Sequence, residues 1–276
     1  MDKSNNQLTV VKHNSIVEAG YRLSIYENRI LLTCISQIDS MGVIGLDDTF
    51  TVSVQDLVGL NGLNSKSAYR NLQKAVDRLF ERSVTIELPN DEILKMRWVS
   101  SIKYISKAGM IELQFSQKII PYISELRREF TQYRLNNVLM FKSNYSIRIY
   151  ELLVKWGGNE KTVEVDWLKK QFQIENKYKT IGNLKAKVLN IAVAEINQHS
   201  DMIVNYEQVK RGRNIVAFRF VYGLKSQPKK KQKSGFNDKV NGVSKTEIEK
   251  QARKGETYQQ VASRIVAMKD ALMGKK

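Results

Sequence analysis

TIGNLKAKVLNIAVAEINQH, residues 180–199, places apolar side chains at Ile181, Leu184, Val188, Ile191, Ala192 and Ile196. Steps of three and four are the period of a helix with one buried face. At about 100° per residue, Lys179, Asn183, Lys187 and Asn190 gather on the opposite side. No carboxylate interrupts that face before Glu195. A run of lysine and amide groups is often just a solvated helix surface. It is also what a helix shows to a polyanion, and the rest of the chain decides between the two.

The 276 residues carry 45 Lys and Arg against 28 Asp and Glu, a formal charge of +17 and a pI near 9.7. Such a balance favours nucleic acid or an anionic membrane surface as partner. The excess is uneven. Residues 225–276 hold fourteen basic and five acidic residues, so the longer remainder is only moderately basic and the positions of its charges matter more than their sum. With 42% hydrophobic residues there is material for packed cores, and the length suggests two domains. Cys34 is the only cysteine and sits among apolar neighbours in ILLTCISQI, which reads as a buried structural thiol rather than a nucleophile. The start, MDKSNNQLTVV, lacks the layout of a signal peptide, and no window approaches a membrane span. The expected location is the cytoplasm.

A faint internal repeat organises the chain. Residues 24–40 read as an amphipathic helix, FTVSVQDLVGL (50–60) as a strand leading into a second helix, and SKSAYRNLQKAVDRLFERS (65–83) as a third. VTIEL follows as a strand ended by Pro89 and Asn90. KMRWVSSIKYI and MIELQF then alternate as two half-buried strands joined by the turn-like SKAG. The second half runs in the same order. SNYSIRIYELLVKWGG (143–158) is a helix closed by a Gly pair, KTVEVDWLKKQF (161–172) a strand and helix, residues 180–199 the third helix, and MIVNYEQVKRGRNIVAFRFVYG (202–223) a hairpin with KRGRN at its tip. FSQKIIPYISELRREFTQYRL (115–135) reads as a connecting helix with Pro121 near its start.

Three helices followed by a two-stranded wing form the winged helix-turn-helix, here present twice. The expected fold class is therefore α+β: two tandem winged-helix domains with a basic C-terminal tail, divided as 1–130, 131–224 and 225–276. In such a domain the third helix enters the major groove and needs donors on its outer face. Lys179, Asn183, Lys187 and Asn190 supply them in the second domain, with Lys185 nearer the apolar face and able to lie along the core instead. The wing tip adds Lys210, Arg211 and Arg213. The matching face of the first domain offers Lys66, Ser67, Arg70, Asn71 and Lys74, with no acid before Asp77.

The sequence resembles the iteron-binding plasmid replication initiators, the Rep family with its RepE and π types. The resemblance spans roughly residues 8–224. It rests on LTVVKHNSIVEAGYRLSIYENRILL, on IELQFSQKIIPYISEL and FTQYRLNNVLMFKSNYSIRIYELL, and on NLKAKVLNIAVAEIN; the block around SIRIYELL is the most specific. It implies two winged-helix domains that bind direct repeats at an origin, help open adjacent AT-rich DNA and recruit the host replication initiator and helicase machinery. It further implies that monomers bind the origin, that dimers paired through the N-terminal domain act as repressors, and that the second domain is the stronger reader. A two-domain transcription regulator would share the fold, and only the SIRIYELL block argues against it.

Catalysis is not expected. His13 and His199 are the only histidines and lie far apart, so the histidine cluster of a metal-dependent nicking enzyme is missing. GVSKT (242–246) lacks the upstream glycine spacing of a phosphate loop. No catalytic residue, metal or cofactor is assigned. After Leu224, KSQPKKKQKSGFNDKVNG reads as a flexible linker, and two short helices broken at Gly255 follow, the first opened by a Ser244–Glu247 capping box. PKKKQK (228–233) has only Phe236 as a nearby apolar anchor, so DNA phosphates suit it better than a membrane.

Overall fold

In this computed structural model the described residues are 8–53, 56, 65–225, 239–253 and 255–273, and the side chains of 65–68 and 271–273 fall outside the description. The chain divides into two compact units, Met1–Lys225 and Ser226–Lys276.

The first unit begins with strand β1 (Thr9–His13), a single helical turn α1 (Asn14–Val17) and helix α2 (Ile25–Ile35). Ser24 opens α2 by a capping box: its hydroxyl accepts the Glu27 N–H at 3.3 Å while the Glu27 carboxylate accepts the Ser24 N–H at 3.0 Å. The sequence predicts this helix to Ser40, but it stops at Ile35. Beyond it, the Gln37 amide donates to the Thr51 carbonyl at 2.8 Å and accepts the Thr51 N–H at 3.3 Å, acting as a backbone surrogate that ties the loop to β2 (Phe50–Ser53). The predicted second helix lies outside the described residues except at Asp56, whose carboxylate and N–H exchange hydrogen bonds with Ser53 at a helix start. Helix α3 (Ser65–Phe80) follows, burying Leu72, Ala75, Val76 and Leu79 at helical spacing.

Residues 95–105 do not form one strand. Strand β3 (Ser83–Glu87) pairs with β4 (Ile93–Arg97), while β5 (Val99–Ile105) pairs with β6 (Met110–Phe115). The break falls at Trp98, which is fully buried and meets Tyr21 edge to face at 5.1 Å. A second correction concerns residues 115–135. Instead of a helix they form a 3₁₀ turn at Ile120–Tyr122 and strand β7 (Phe130–Arg134), antiparallel to β1. Pro121 removes a backbone donor, Glu125 and Glu129 have left-handed φ of 51° and 54°, and FTQYR buries alternate residues. Its partner strand lies over a hundred residues upstream, beyond the reach of any local pattern.

The second half comprises α4 (Asn136–Leu139), α5 (Asn144–Trp156), β8 (Glu160–Glu164), α6 (Val165–Gln171), α7 (Ile181–Leu184), a π turn at Lys185–Leu189, α8 (Asn190–His199), β9 (Met202–Arg211) and β10 (Asn214–Leu224). The two wing sheets have the same topology: β2-β6-β5 in the first half and β8-β10-β9 in the second. In each, the short strand before the second helix pairs with the returning wing strand, burying Val52 opposite Ile111 and Val163 opposite Phe218.

A continuous apolar core runs through both halves. Helix α5, which carries SIRIYELL, is set in it by two buried charges. Glu151 pairs with Lys12 and accepts from the hydroxyls of Tyr133 and Tyr21. Arg148 donates to the Ala19 carbonyl at 2.7 Å and lies 3.7 Å from the Tyr21 ring centre. Cys34 is buried, and burial pushes its thiol pKa well above the ordinary range.

Glu27 supplies a pH-dependent part of this stability. Burial alone would raise its pKa, but hydrogen bonds from Arg82, the Ser24 N–H and Arg78 outweigh that and hold it below its ordinary value. A depressed carboxylate stabilises the fold above its unfolded pKa and loses that contribution as pH falls through the folded one. Unfolding midpoints between pH 6 and 3 should therefore fall less steeply in Glu27→Gln than in the parent. Parallel curves would show that the Glu27 cluster carries none of the acid sensitivity.

The second unit is a small fold of its own. Strands β11 (Lys239–Val240) and β12 (Val243–Ser244) form a hairpin where the sequence predicts the end of a linker, and residues 226–238 of that linker lie outside the described residues. Helices α9 (Lys245–Gln251) and α10 (Tyr258–Met273) follow, with Ser244 accepting the Glu247 N–H at 3.3 Å, and Val243, Ile248, Val261, Ala262 and Ile265 close a separate core. PKKKQK lies outside the described residues. Lys225, read with the tail, belongs to the first unit: its N–H reaches the Asp201 carbonyl and its ammonium the Ser200 carbonyl. Deleting residues 226–276 is accordingly expected to leave the melting temperature of the remaining chain within a few degrees of the parent's, as calorimetry would show.

Candidate nucleic-acid interface

The helix that holds residues 180–199 begins at Thr180, whose hydroxyl accepts the Asn183 N–H at 3.2 Å. Leu184, Val188, Leu189, Ala192 and Ile196 are buried. Leu189 replaces Ile191 in the expected face, since Ile191 is 38% exposed. The π turn explains the exchange: it adds one residue to the helix, so the inward series of an unbroken helix from Leu184 is shifted by one and continues through Leu189, Ala192 and Ile196 instead of through Ile191. Lys179, Asn183, Lys187 and Asn190 are all exposed, and Lys185 is half-buried. Glu195, the acid of this helix, faces away from them and accepts the N–H groups of Lys142 and Ser143 at 3.0 and 3.2 Å.

The wing beside this helix turns at Gly212, whose φ of 61° a side chain would resist. Lys210, Arg211 and Arg213 are exposed around it. Towards the base of the wing, Arg219 binds Glu207 at 2.6 Å and Glu160 at 3.5 Å, which neutralises carboxylates that would otherwise weaken a positive field.

In the first half, Arg70, Asn71 and Lys74 are exposed on α3, while the side chains of Lys66 and Ser67 lie outside the described residues. Arg78 and Arg82 turn to the buried Glu27 carboxylate at 2.9 and 3.0 Å. The first wing turns at Gly109 with exposed Lys107, a residue the sequence reading did not single out.

The sequence reading also missed a link that each half makes between wing and third helix. Tyr206 of β9 donates to Asn190 Oδ1 at 2.6 Å, and Tyr104 of β5 donates to Asp77 of α3. Burial, then the Asp77 carboxylate, push the Tyr104 pKa up to about 12, and burial also raises that of Tyr206, so both hydroxyls remain donors. Once the extra π-turn residue is allowed for, the buried series Leu72, Ala75, Val76, Leu79 matches Leu184, Val188, Leu189, Ala192, and Asn190 becomes the counterpart of Asp77. A tyrosine at an alternating wing position was the only signal in the sequence.

Among the described residues, no cluster of His, Cys, Asp or Glu could hold a metal ion, and no helix is long and apolar enough to cross a membrane. What the repeats define is a tandem winged-helix protein with a cationic, amide-bearing third helix and a basic wing in its second domain. The chain matches the descriptions "Initiator Replication protein, WH1" over residues 9–154 and "Initiator Rep protein, WH2" over residues 164–222, and it belongs to that replication initiator family. A replication initiation protein of Escherichia coli is 28% identical over 217 residues, covering 75% of this chain and 67% of that protein. The PI protein of Escherichia coli is 26% identical over 254 residues, covering 79% and 83%. The fold is also that of the Pi initiator protein crystallised with iteron DNA, with a TM-score of 0.70, 24% identity, and coverage of 80% of this chain and 99% of that one.

Proposed function

We propose that this protein initiates plasmid replication by binding double-stranded direct repeats (iterons) at an origin, promoting opening of the adjacent duplex and recruiting host replication proteins. The carrying observation is the acid-free exposed face of Lys179, Asn183, Lys187 and Asn190 beside the Lys210, Arg211, Arg213 wing. Lysines placed there hold phosphates, while the amides reach base edges. The first domain, residues 1–130 in the sequence division, adds a weaker contact through Arg70, Asn71 and Lys74 and pairs with a second copy in a repressing dimer. The second domain, 131–224, is the main reader. The protein acts by binding, without a catalytic step. Family membership favours this over a transcription regulator of the same fold.

A single chain with two groove readers covers about two helical turns, each roughly 34–36 Å. Linking the two contacts also raises the effective concentration of the second. Footprints on direct-repeat and inverted-repeat duplexes, with the mass of each complex, test this. One monomer per direct repeat protecting two turns is expected. Protection of a single turn, or obligate dimers on the direct repeat, would count against it, and strand cleavage or ATP hydrolysis by the pure protein would overturn the non-catalytic part.

A further inference from the structure

We propose that Tyr206 is a positioning residue for base readout, fixing the Asn190 amide so that the third helix presents one outward hydrogen-bond donor. This rests on the reading above, that the helix enters a major groove. Asn190 is exposed on the acid-free face, and its Oδ1 accepts from the Tyr206 hydroxyl at 2.6 Å. The Tyr206 ring is half-buried and held edge-on to Phe218 at 5.5 Å and tilted against Phe220 at 6.1 Å, so its hydroxyl is a fixed point rather than a swinging one. An unrestrained amide rotates and offers either its oxygen or its NH₂ group. With the oxygen turned to the wing, the planar amide directs its NH₂ away from it. A lone donor suits the acceptors of a purine edge, N7 of either purine or O6 of guanine, and does not suit the amino group of cytosine.

The first domain uses the same link to a different end. At the helix position matching Asn190, Asp77 is held by Tyr104, which lies two residues nearer its wing tip than the register places Tyr206, and Asp77 is a carboxylate that accepts and cannot donate. Next to DNA it repels phosphate and has no donor for N7 of a purine or O6 of guanine. The exchange of Asp77 for Asn190 thus turns one repeated piece of geometry from a structural strap into a reader, and it places base selection in the second domain.

The test starts from a random-sequence duplex library selected with the full chain, followed by affinity measurements on the selected duplex and on a scrambled one. Tyr206→Phe keeps the ring and removes only the hydroxyl. It should bind the selected duplex roughly 3- to 10-fold more weakly, the worth of one hydrogen bond, with unchanged affinity for the scrambled duplex and an unchanged melting temperature. Reselection with this variant should lose preference at one base pair, the same one lost by Asn190→Ala. The double variant should be no weaker than Asn190→Ala alone, because both changes remove one interaction. Undiminished preference in Tyr206→Phe, equal weakening on both duplexes, or additive losses in the double variant would each overturn the proposal. If the parent chain itself selects no preferred duplex, the groove reading fails and the proposal with it, an outcome distinct from a selective parent with an indifferent Tyr206→Phe.

Discussion

Glu151→Ala is expected to destabilise the winged unit by about 3–5 kcal/mol, the cost of leaving one partner of a buried ion pair alone. Glu151 is 0% exposed and its partner Lys12 1%. The substitution would strand the ammonium without a counter-charge and leave the hydroxyls of Tyr133 and Tyr21 without their acceptor. For a domain whose total stability is about 5–15 kcal/mol, that is a large fraction. Urea unfolding followed by tryptophan fluorescence measures it. Replacing both partners, as Lys12→Met with Glu151→Leu, should recover the part of the loss due to the stranded ammonium but not the part due to the two tyrosine hydroxyls, which still lack their acceptor. A single substitution costing under about 1 kcal/mol would mean that water or another group compensates Lys12. The three groups around Glu151 come from β1, from β7 and from the loop before α2, so one carboxylate on α5 fixes the N-terminal strand pair against the helix that begins the second half. Arg148, one helical turn earlier, does the same for the Ala19 and Gln171 carbonyls. In the SIRIYELL block, Arg148 and Glu151 are thus oriented by protein partners rather than by solvent.

Those partners also mark the limit of what the sequence shows. Helix α5, helix α3 and the β9–β10 wing were legible because their signals are local: apolar steps of three and four, and a Gly turn at Gly212 between alternating strands. FTQYR was not, because its strand exists only through β1 and a helix-like apolar run upstream obscured its alternation. Trp98 hid a boundary, since a buried residue between two strands continues the apolar pattern while the backbone changes partner. In the candidate interface, Lys179, Asn183, Lys187 and Asn190 could be placed on one exposed face from periodicity. The π turn could not, because propensity does not register a single added residue, and so Ile191 was set inside and the match of Asn190 to Asp77 stayed hidden. Beyond its alternating wing position, nothing in the sequence around Tyr206 marks it; its role depends on which atom of another element it meets.

The proposed division of labour between the two domains has a quantitative consequence that salt can read. Replacing Lys179, Lys187, Lys210, Arg211 and Arg213 by alanine removes five exposed cations from one helix and its wing. If each neutralises a phosphate, the slope of log K against log salt becomes shallower by up to roughly 4.5, and affinity near 0.15 M salt falls on the order of a thousandfold. The corresponding change in the first domain, Arg70, Lys74 and Lys107 to alanine, has only three cations to give and up to roughly 2.7 in slope. The smaller set also lies beside Asp77, whose charge already weakens the local field, so its measured change should fall well below that ceiling. Because all eight side chains are exposed, neither set should move the melting temperature appreciably, which separates lost contacts from lost fold. Fluorescence anisotropy on a direct-repeat duplex between 50 and 300 mM salt gives both slopes. Equal changes in the two variants would mean that both domains hold the backbone alike and that any dominance of the second lies in base contacts alone. No change in the fivefold variant would remove this helix and wing from the DNA altogether.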